Sequence, residues 1–229
     1  LVMTLDLFNL FVFLEISSIA TYSLIALERN RGSMSAGFKY IIAGGIASAL
    51  FLIGTIYLYR IAGSLAIADI IAAQPAAAGM AGVTAVFLLT AALLIELKPF
   101  PANGWALDVY QSVQSGVVSV IAVVNSAAVL FALYKIFPML PASLTSALLW
   151  IGITTFFASN LIGLRQSSVK RMLGYSSSAQ IGLLISVLAL SAMYGWSGRL
   201  QVLVFASIFF GHIFSKAGLF WLTEVQEEQ

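Results

Sequence analysis

At 229 residues, 61% hydrophobic and 9% charged, with a mean hydropathy of +1.01, the chain carries more apolar surface than a soluble domain could hide. The absence of cysteine excludes disulfides and thiolate metal centres, and a single histidine excludes a multi-histidine metal or haem site. The net charge of +2 is small, so the placement of the charges carries more than their sum.

Apolar runs of about 20 residues, the length a helix needs to cross a bilayer, recur along the whole sequence and predict an all-α integral membrane fold of about seven spans. No basic region precedes the first run, so that run does not read as a signal peptide. Leu1 already lies in or close to a span, so the chain is expected to be a fragment or a truncated relative of a longer protein.

Span one is expected over residues 7–27, with Glu15 deep from either end. A carboxylate at that depth costs roughly 2.5–3.5 kcal/mol on insertion scales, so Glu15 should face a partner or water. Phe8, Phe11, Val12, Ser18, Ile19 and Tyr22 share its face at helical spacing. A short polar loop from Glu28 to Arg31 leads to span two, residues 39–59, where Gly44, Gly45, Ala47, Ser48 and Gly54 offer small surfaces for close helix packing. Residues 65–78, with Asp69 and Pro75, read as an interfacial connector.

The run from Val83 to Ile95 then meets Glu96, Lys98, Pro99, Pro101, Gly104 and Trp105 in quick succession. Two prolines in three residues break a helix, because each removes a backbone donor and clashes with the preceding turn. Two readings follow. Either the run ends here with Glu96 and Lys98 in the headgroups, or a broken helix places charged groups beside freed carbonyls, a common way to build an ion site. After the break, residues 105–110 form a short half-helix with Asp108 near its end.

Span four, residues 117–137, holds Asn125 midway and Lys135 at its exit. Lys135 is placed to snorkel toward the headgroups, while Asn125 can bond either a neighbouring helix or water. A turn over residues 138–146 precedes span five, residues 147–164, and an amphipathic linker carries Arg165, Lys170 and Arg171. Span six covers residues 176–193 and span seven residues 200–222. His212 and Lys216, four apart, share one face of span seven, and a histidine with a pKa near ~6.5 suits a proton relay. The acidic tail of Glu224, Glu227 and Glu228 reads as a solvated end. Seven crossings put Arg29, Arg31, Lys39, Arg165, Lys170 and Arg171 on one side and Arg60, Lys135 and Arg199 on the other, which makes the first side cytoplasmic.

Five stretches, in this order, carry a resemblance to a known family. They are Asp6 to Val12 with Glu15, Lys39-Tyr40 through Gly63-Ser64-Leu65, Phe100-Pro101 through Gly104-Trp105 and Asp108, Lys170 through Gly182, and His212 through Lys216 to Phe220. Together they resemble the antiporter-like subunits of respiratory complex I, of Mrp-type Na+/H+ antiporters and of membrane-bound hydrogenases. The resemblance implies a fold of roughly fourteen helices in two inverted repeats of about five, each with a broken helix. Residues 1–137 would be most of the first repeat and residues 145–229 part of the second, within a single transmembrane domain.

The resemblance further implies proton or Na+/H+ translocation through a midplane chain of Glu15, Glu96, Lys98, His212 and Lys216. Asn125, Lys135 and Asp108 are secondary candidates, and Pro99, Pro101 and Gly104 make the break. Glu15 is expected to pair with Lys98, with Glu96 competing for the same lysine. The family's broken-helix lysine falls here on Glu96, and Lys98 lies about 200° around a regular helix from it. The lysine of the next helix falls near Ala127, and Leu107 stands where a proline is usual.

The expected role is that of a non-catalytic membrane subunit, driven by redox chemistry in partner subunits. The alternatives are a degenerate subunit with a scaffolding role and an Mrp-type antiporter subunit without a redox link. The chain itself is expected to bind no cofactor and no metal beyond transient H+ or Na+. Its partners would be other membrane subunits and the bilayer, with no nucleic acid, in a bacterial or archaeal cytoplasmic membrane or an organelle inner membrane.

Overall fold

The computed structural model describes residues 2–227, with side chains to residue 223. The expected solvation of Glu224, Glu227 and Glu228 therefore lies outside the described residues. All the described elements are helical, and seven of the described helical segments are long and apolar enough to cross a membrane.

The first helix, α1 (Leu7–Ala26), starts where Asp6 accepts a hydrogen bond from the Asn9 amide, a side-chain cap that satisfies one orphan donor. The next helix, α2 (Arg31–Ala62), begins eight residues before the expected start of span two, because Asn30 caps it through the Ser33 amide. It ends at Gly63, whose left-handed backbone (φ 68°) lets its amide reach the Tyr59 carbonyl. The connector is a short α3 (Ile67–Ala72) and one 3-10 turn (Pro75–Ala77).

Helix α4 (Met80–Leu97) runs through Glu96, so the break falls later than the apolar run indicates. Lys98 is the first residue off the helix and takes a left-handed conformation (φ 57°). The chain resumes as α5 (Gly104–Ser112).

The fourth span, Ser115–Met139, is not one regular helix. It comprises α6 (Ser115–Val120), a π-helical turn over Ile121–Asn125, and α7 (Ser126–Ile136), with a closing 3-10 turn. Helix α8 (Ala142–Gly163) starts directly after Pro141, whose extended backbone suits the residue ahead of a helix, so the expected turn is shorter than 138–146. Of the basic linker, Lys170 and Arg171 fall in the first turn of α9 (Val169–Met193), capped by Ser168 through the Arg171 amide, and Arg165 in the turn after α8. The last helix is α10 (Gly198–Glu227).

Helices α8 and α9 approach closely at facing glycines. A Cβ on Gly182 would stand 2.7 Å from the Gly152 carbonyl oxygen, and one on Gly152 would stand 2.6 Å from that of Gly182. Small residues let backbones meet where the lipid supplies no hydrophobic drive for association.

Two apolar clusters hold the bundle, one above the other. The larger joins Leu7, Leu10 and Leu14 of α1 to Phe51 and Leu58 of α2, Leu89 and Leu93 of α4, Leu130 and Leu133 of α7, and Ile185 and Leu188 of α9. The smaller joins Ile25, Ala36 and Tyr40 to Leu107 and Tyr110 of α5, Val118, Ile121 and Ala122, Leu173 of α9 and Phe220 of α10.

Candidate ion-translocation site

On nearly every long helix a group of buried or partly buried polar residues falls in the gap between these two clusters. In α1, Glu15, Ser18 and Thr21 lie between Leu14 and Ile25. In α2, Gly44 and Ser48 lie between Tyr40 and Phe51. Lys98 follows Leu97 of the larger cluster and precedes Leu107 of the smaller. Asn125 and Ser126 lie between Ala122 and Val129, Ser176 to Gln180 between Leu173 and Ile181, and His212 and Lys216 between Phe209 and Phe220. The result is a polar stratum across the bundle, sealed by apolar packing on either side.

At one end of this stratum, between α1, α2 and α4, Glu15 and Glu96 line the same cavity with Ser18, Ser48, Gly44 and Phe11. Its volume is about 10 Å³, the room taken by about one water molecule or one small cation. Glu96 is 9% exposed and Glu15 partly buried. A Cβ at Gly44 would stand 2.3 Å from the Tyr22 hydroxyl and 3.5 Å from Glu96 Oε1, so the glycine leaves room for both groups at the pocket wall.

Lys98 does not enter this pocket, and the expected Glu15–Lys98 ion pair is not formed. The left-handed turn at the end of α4 directs its side chain the other way, under the fourth span. Its ammonium donates to the Tyr110 hydroxyl (3.3 Å) and to Ser126 Oγ (3.2 Å), and lies 5.9 Å and 5.8 Å from the ring centroids of Trp105 and Tyr110. Hydroxyls and aromatic faces, not a carboxylate, hold this buried cation.

The π-helical turn is the hub of the stratum. Such turns release backbone groups from the regular ladder and recur at functional sites. Ser126 meets Lys98 at its end. Asn125, the last residue of the turn, donates to Thr21 Oγ1 of α1 (3.0 Å) and to the Tyr40 hydroxyl of α2 (3.4 Å), so a neighbouring helix satisfies it. The turn also packs against α10, with Ala122 beside His212. No feature of the sequence distinguishes this turn from a plain helix; only the polar pair Asn125-Ser126 within an apolar span hints at it.

Two bases stand at the far end, each matched by a neutral group on the antiparallel helix α9. His212 Nδ1 lies 2.6 Å from Gln180 Oε1, and Lys216 Nζ donates to Ser176 Oγ at 2.6 Å. Both bases are 2% exposed, and His212 Nε2 has no hydrogen-bond partner among the described residues. Lys216 also lines a cavity of about 230 Å³ between α8, α9 and α10, together with Ser159, whose buried hydroxyl lacks a partner among the described residues. Gln180 and Ser176 were legible only as parts of a family-like stretch; their pairing needs the antiparallel register.

The two secondary candidates with charge lie elsewhere. Asp108 sits beyond the stratum, where Lys39 of α2 (2.6 Å) and Arg171 of α9 (2.9 Å) both bind it, and Arg171 also donates to Gln111 (2.9 Å). Lys39 and Arg171 thus meet at one end of the bundle, as the loop assignment requires. Lys135 donates to the carbonyls of Val2 and Thr4, a tether to the chain ahead of α1 and not a member of the row. Pro99, Pro101 and Gly104 fall in and after the break as expected, with a cis peptide bond between Phe100 and Pro101.

A bundle of long apolar helices, one followed by a break, with acids and bases gathered in its interior, defines a polytopic membrane protein with a transporter-like broken helix. Within that class, the chain belongs to the NADH:quinone oxidoreductase/Mrp antiporter transmembrane family, whose profile matches residues 4–229. It is 36% identical to NADH-quinone oxidoreductase subunit N of Desulforudis audaxviator, over 96% of this chain and 46% of that protein. Against the same subunit of Francisella tularensis the identity is 37%, over 79% of this chain and 39% of the relative.

Among solved structures, a chain of the archaeal membrane-bound sulfane sulfur reductase superposes with a TM-score of 0.84 at 30% identity, covering 95% of this chain and 45% of that one. A chain of respiratory complex I from Thermus thermophilus superposes at 0.78 with 26% identity, covering 97% and 47%. The chain thus spans a little under half the length of the relatives it matches.

Proposed function

We propose that this chain is an antiporter-like subunit that moves protons or other small cations through its polar stratum, within a larger assembly in a cytoplasmic membrane. The route runs from Glu15 and Glu96 to Lys98, past Ser126 and Asn125 at the π turn, and on to His212 and Lys216. The single observation carrying this reading is the gathering of five ionisable groups at or next to the gap between two apolar clusters, four of them buried and Glu15 partly so. An inert bundle gains nothing from burying acids and bases there, since each meets an insertion cost of a few kcal/mol, roughly.

In such a route no group need leave its helix. A proton arriving on one member changes the charge felt by the next, because a neighbouring charge shifts an ionisation by 1–3 units, roughly. The break at Lys98 and the π turn supply the two irregular segments able to shift between states. The driving chemistry belongs to partner subunits, as in the NADH-quinone oxidoreductases and the sulfane sulfur reductase whose subunits this chain resembles. In this reading residues 1–137 are most of one repeat and residues 145–229 part of its inverted partner.

The test replaces Lys98 and His212 singly with alanine and follows acidification of inverted membrane vesicles containing the assembled complex. Loss of proton movement with assembly intact is the expected result. Undiminished pumping in both variants would remove the row from the mechanism, and loss of assembly alone would make the chain a scaffold.

A further inference from the structure

The two ring nitrogens of His212, the one histidine of the chain, stand in different surroundings. Nδ1 lies 2.6 Å from Gln180 Oε1 of α9, while the buried Nε2 has no hydrogen-bond partner among the described residues. A carboxamide oxygen only accepts, so the nitrogen facing it must carry the hydrogen. In the neutral ring Nε2 is then a bare lone pair. That is the less costly orphan, since among backbone groups a buried N–H without an acceptor is rarer than a buried oxygen without a donor. Moving the hydrogen to Nε2 would instead set two lone pairs against each other across the 2.6 Å contact.

The neighbours of the ring agree with this assignment. Ala122 of the π turn lies beside it, and the charged groups acting on it are both cations, Lys216 one turn along α10 and Lys98 after the break. The Lys216 ammonium is directed to Ser176 Oγ. No carboxylate among the described residues acts on the ring to draw the Nδ1 hydrogen away.

We propose that Gln180 is a positioning residue that fixes His212 as its Nδ1–H tautomer, so that the ring takes up and returns its mobile proton at Nε2 alone. Uptake is one proton transfer: the Nε2 lone pair binds H+ handed over by water, and the Nδ1–H···Oε1 bond stays intact. The imidazolium then carries a hydrogen on each nitrogen, and release from Nε2 restores the starting tautomer. A ring that traded protons at both nitrogens would need the Gln180 amide to turn over at every passage. Held by one nitrogen, His212 stores a proton without passing it through. That the stored proton belongs to the ion route rests on the function proposed above; the tautomer does not.

Nitrogen NMR tests this directly, because it separates a hydrogen-bearing ring nitrogen from a bare one. The chain in lipid nanodiscs, labelled with nitrogen-15 at histidine, gives ring signals from His212 alone. On the alkaline side of the ordinary histidine value of ~6.5, Nδ1 should carry the hydrogen, and on acidification only Nε2 should change type. Gln180→Met removes the acceptor and should shift the tautomer ratio toward Nε2–H by about fivefold to tenfold, the size of one net hydrogen bond. Gln180→Glu, whose carboxylate also accepts, should keep Nδ1–H.

A neutral wild-type ring with its hydrogen on Nε2 would overturn the proposal, and so would a Gln180→Met ratio equal to that of the wild type. The wild-type spectrum decides the tautomer even if neither variant folds. An Nδ1–H ring with proton movement surviving His212→Ala would keep the lock and refute the route. An Nε2–H ring with movement lost in His212→Ala would keep the route and refute the lock.

Discussion

The two ends of the polar stratum solve the same problem in opposite ways. Between α9 and α10, each buried base has a neutral partner fixed by helix register, His212 with Gln180 and Lys216 with Ser176. Because both helices repeat at the same spacing and run antiparallel, residues four apart on one meet residues four apart on the other. Between α1, α2 and α4, two acids face a common cavity with no such donor. The contrast separates a region where each base has a neutral side-chain partner from one where two acids line a cavity without such a partner. The proposed route has use for both: fixed bases to shape the field, and an acidic station to take up a proton.

The sharpest way to break this comparison is to give the acidic end its own base. Glu96→Lys places an ammonium at the cavity that Glu15 lines and should abolish proton movement in inverted vesicles of the assembled complex. Next in size is Ser176→Ala, which strips the hydroxyl from the Lys216 ammonium. A hydrogen bond to a charged group contributes about 1.5–3 kcal/mol, so thermal unfolding in nanodiscs should move down accordingly. Adding Lys216→Met to that variant should recover most of the loss, since replacing both partners by apolar groups is nearly neutral, while cation movement should not return. Gln180→Leu should lower stability by about 1–3 kcal/mol, because it leaves the buried His212 Nδ1 unpartnered as its Nε2 already is. A stability unchanged by Ser176→Ala would mean that Lys216 draws its support from the adjoining cavity, and the comparison would lose one of its terms.

The sequence made the spans, the break and the five ionisable residues set in apolar helices or at the break legible, because each depends on a local rule: apolar length, proline chemistry, or a charge beside an apolar run. Where it misled, the cause was non-local. Glu15 and Lys98 were paired on the logic of opposite charge, but the left-handed turn at Lys98 swings its side chain to Tyr110 and Ser126. Helix starts shifted because the caps Asn30 and Ser168 act before the apolar pattern begins. The π turn left no mark in residue type, since its five residues read as helix formers of a membrane span. The stratum itself emerged only when two separate apolar clusters could be seen to bound the polar residues on several helices at once.

The smallest expected effect lies outside the stratum, at Asp108, where the broken helix is tied to both α2 and α9. Partial burial alone would raise the aspartate pKa. Hydrogen bonds from Lys39 and Arg171, with the charges of both, outweigh that and hold it below the usual aspartate range. A depressed carboxyl pKa adds stability that is fully present above the unfolded value and is lost as pH falls through the folded one. The bond should therefore persist at neutral pH and disappear only on the acid side of the ordinary aspartate range. Because Lys39 is half exposed and Asp108 and Arg171 each 29% exposed, solvent screens the pairs. Asp108→Asn should then lower stability by only about 0–1 kcal/mol at neutral pH, less at high salt, and should flatten the acid limb of the stability profile. A larger loss at neutral pH, insensitive to salt, would show that the tie between α5 and its two neighbours acts through geometry more than through charge. The end of the bundle that looks most polar would then be as rigidly built as the base-bearing helices.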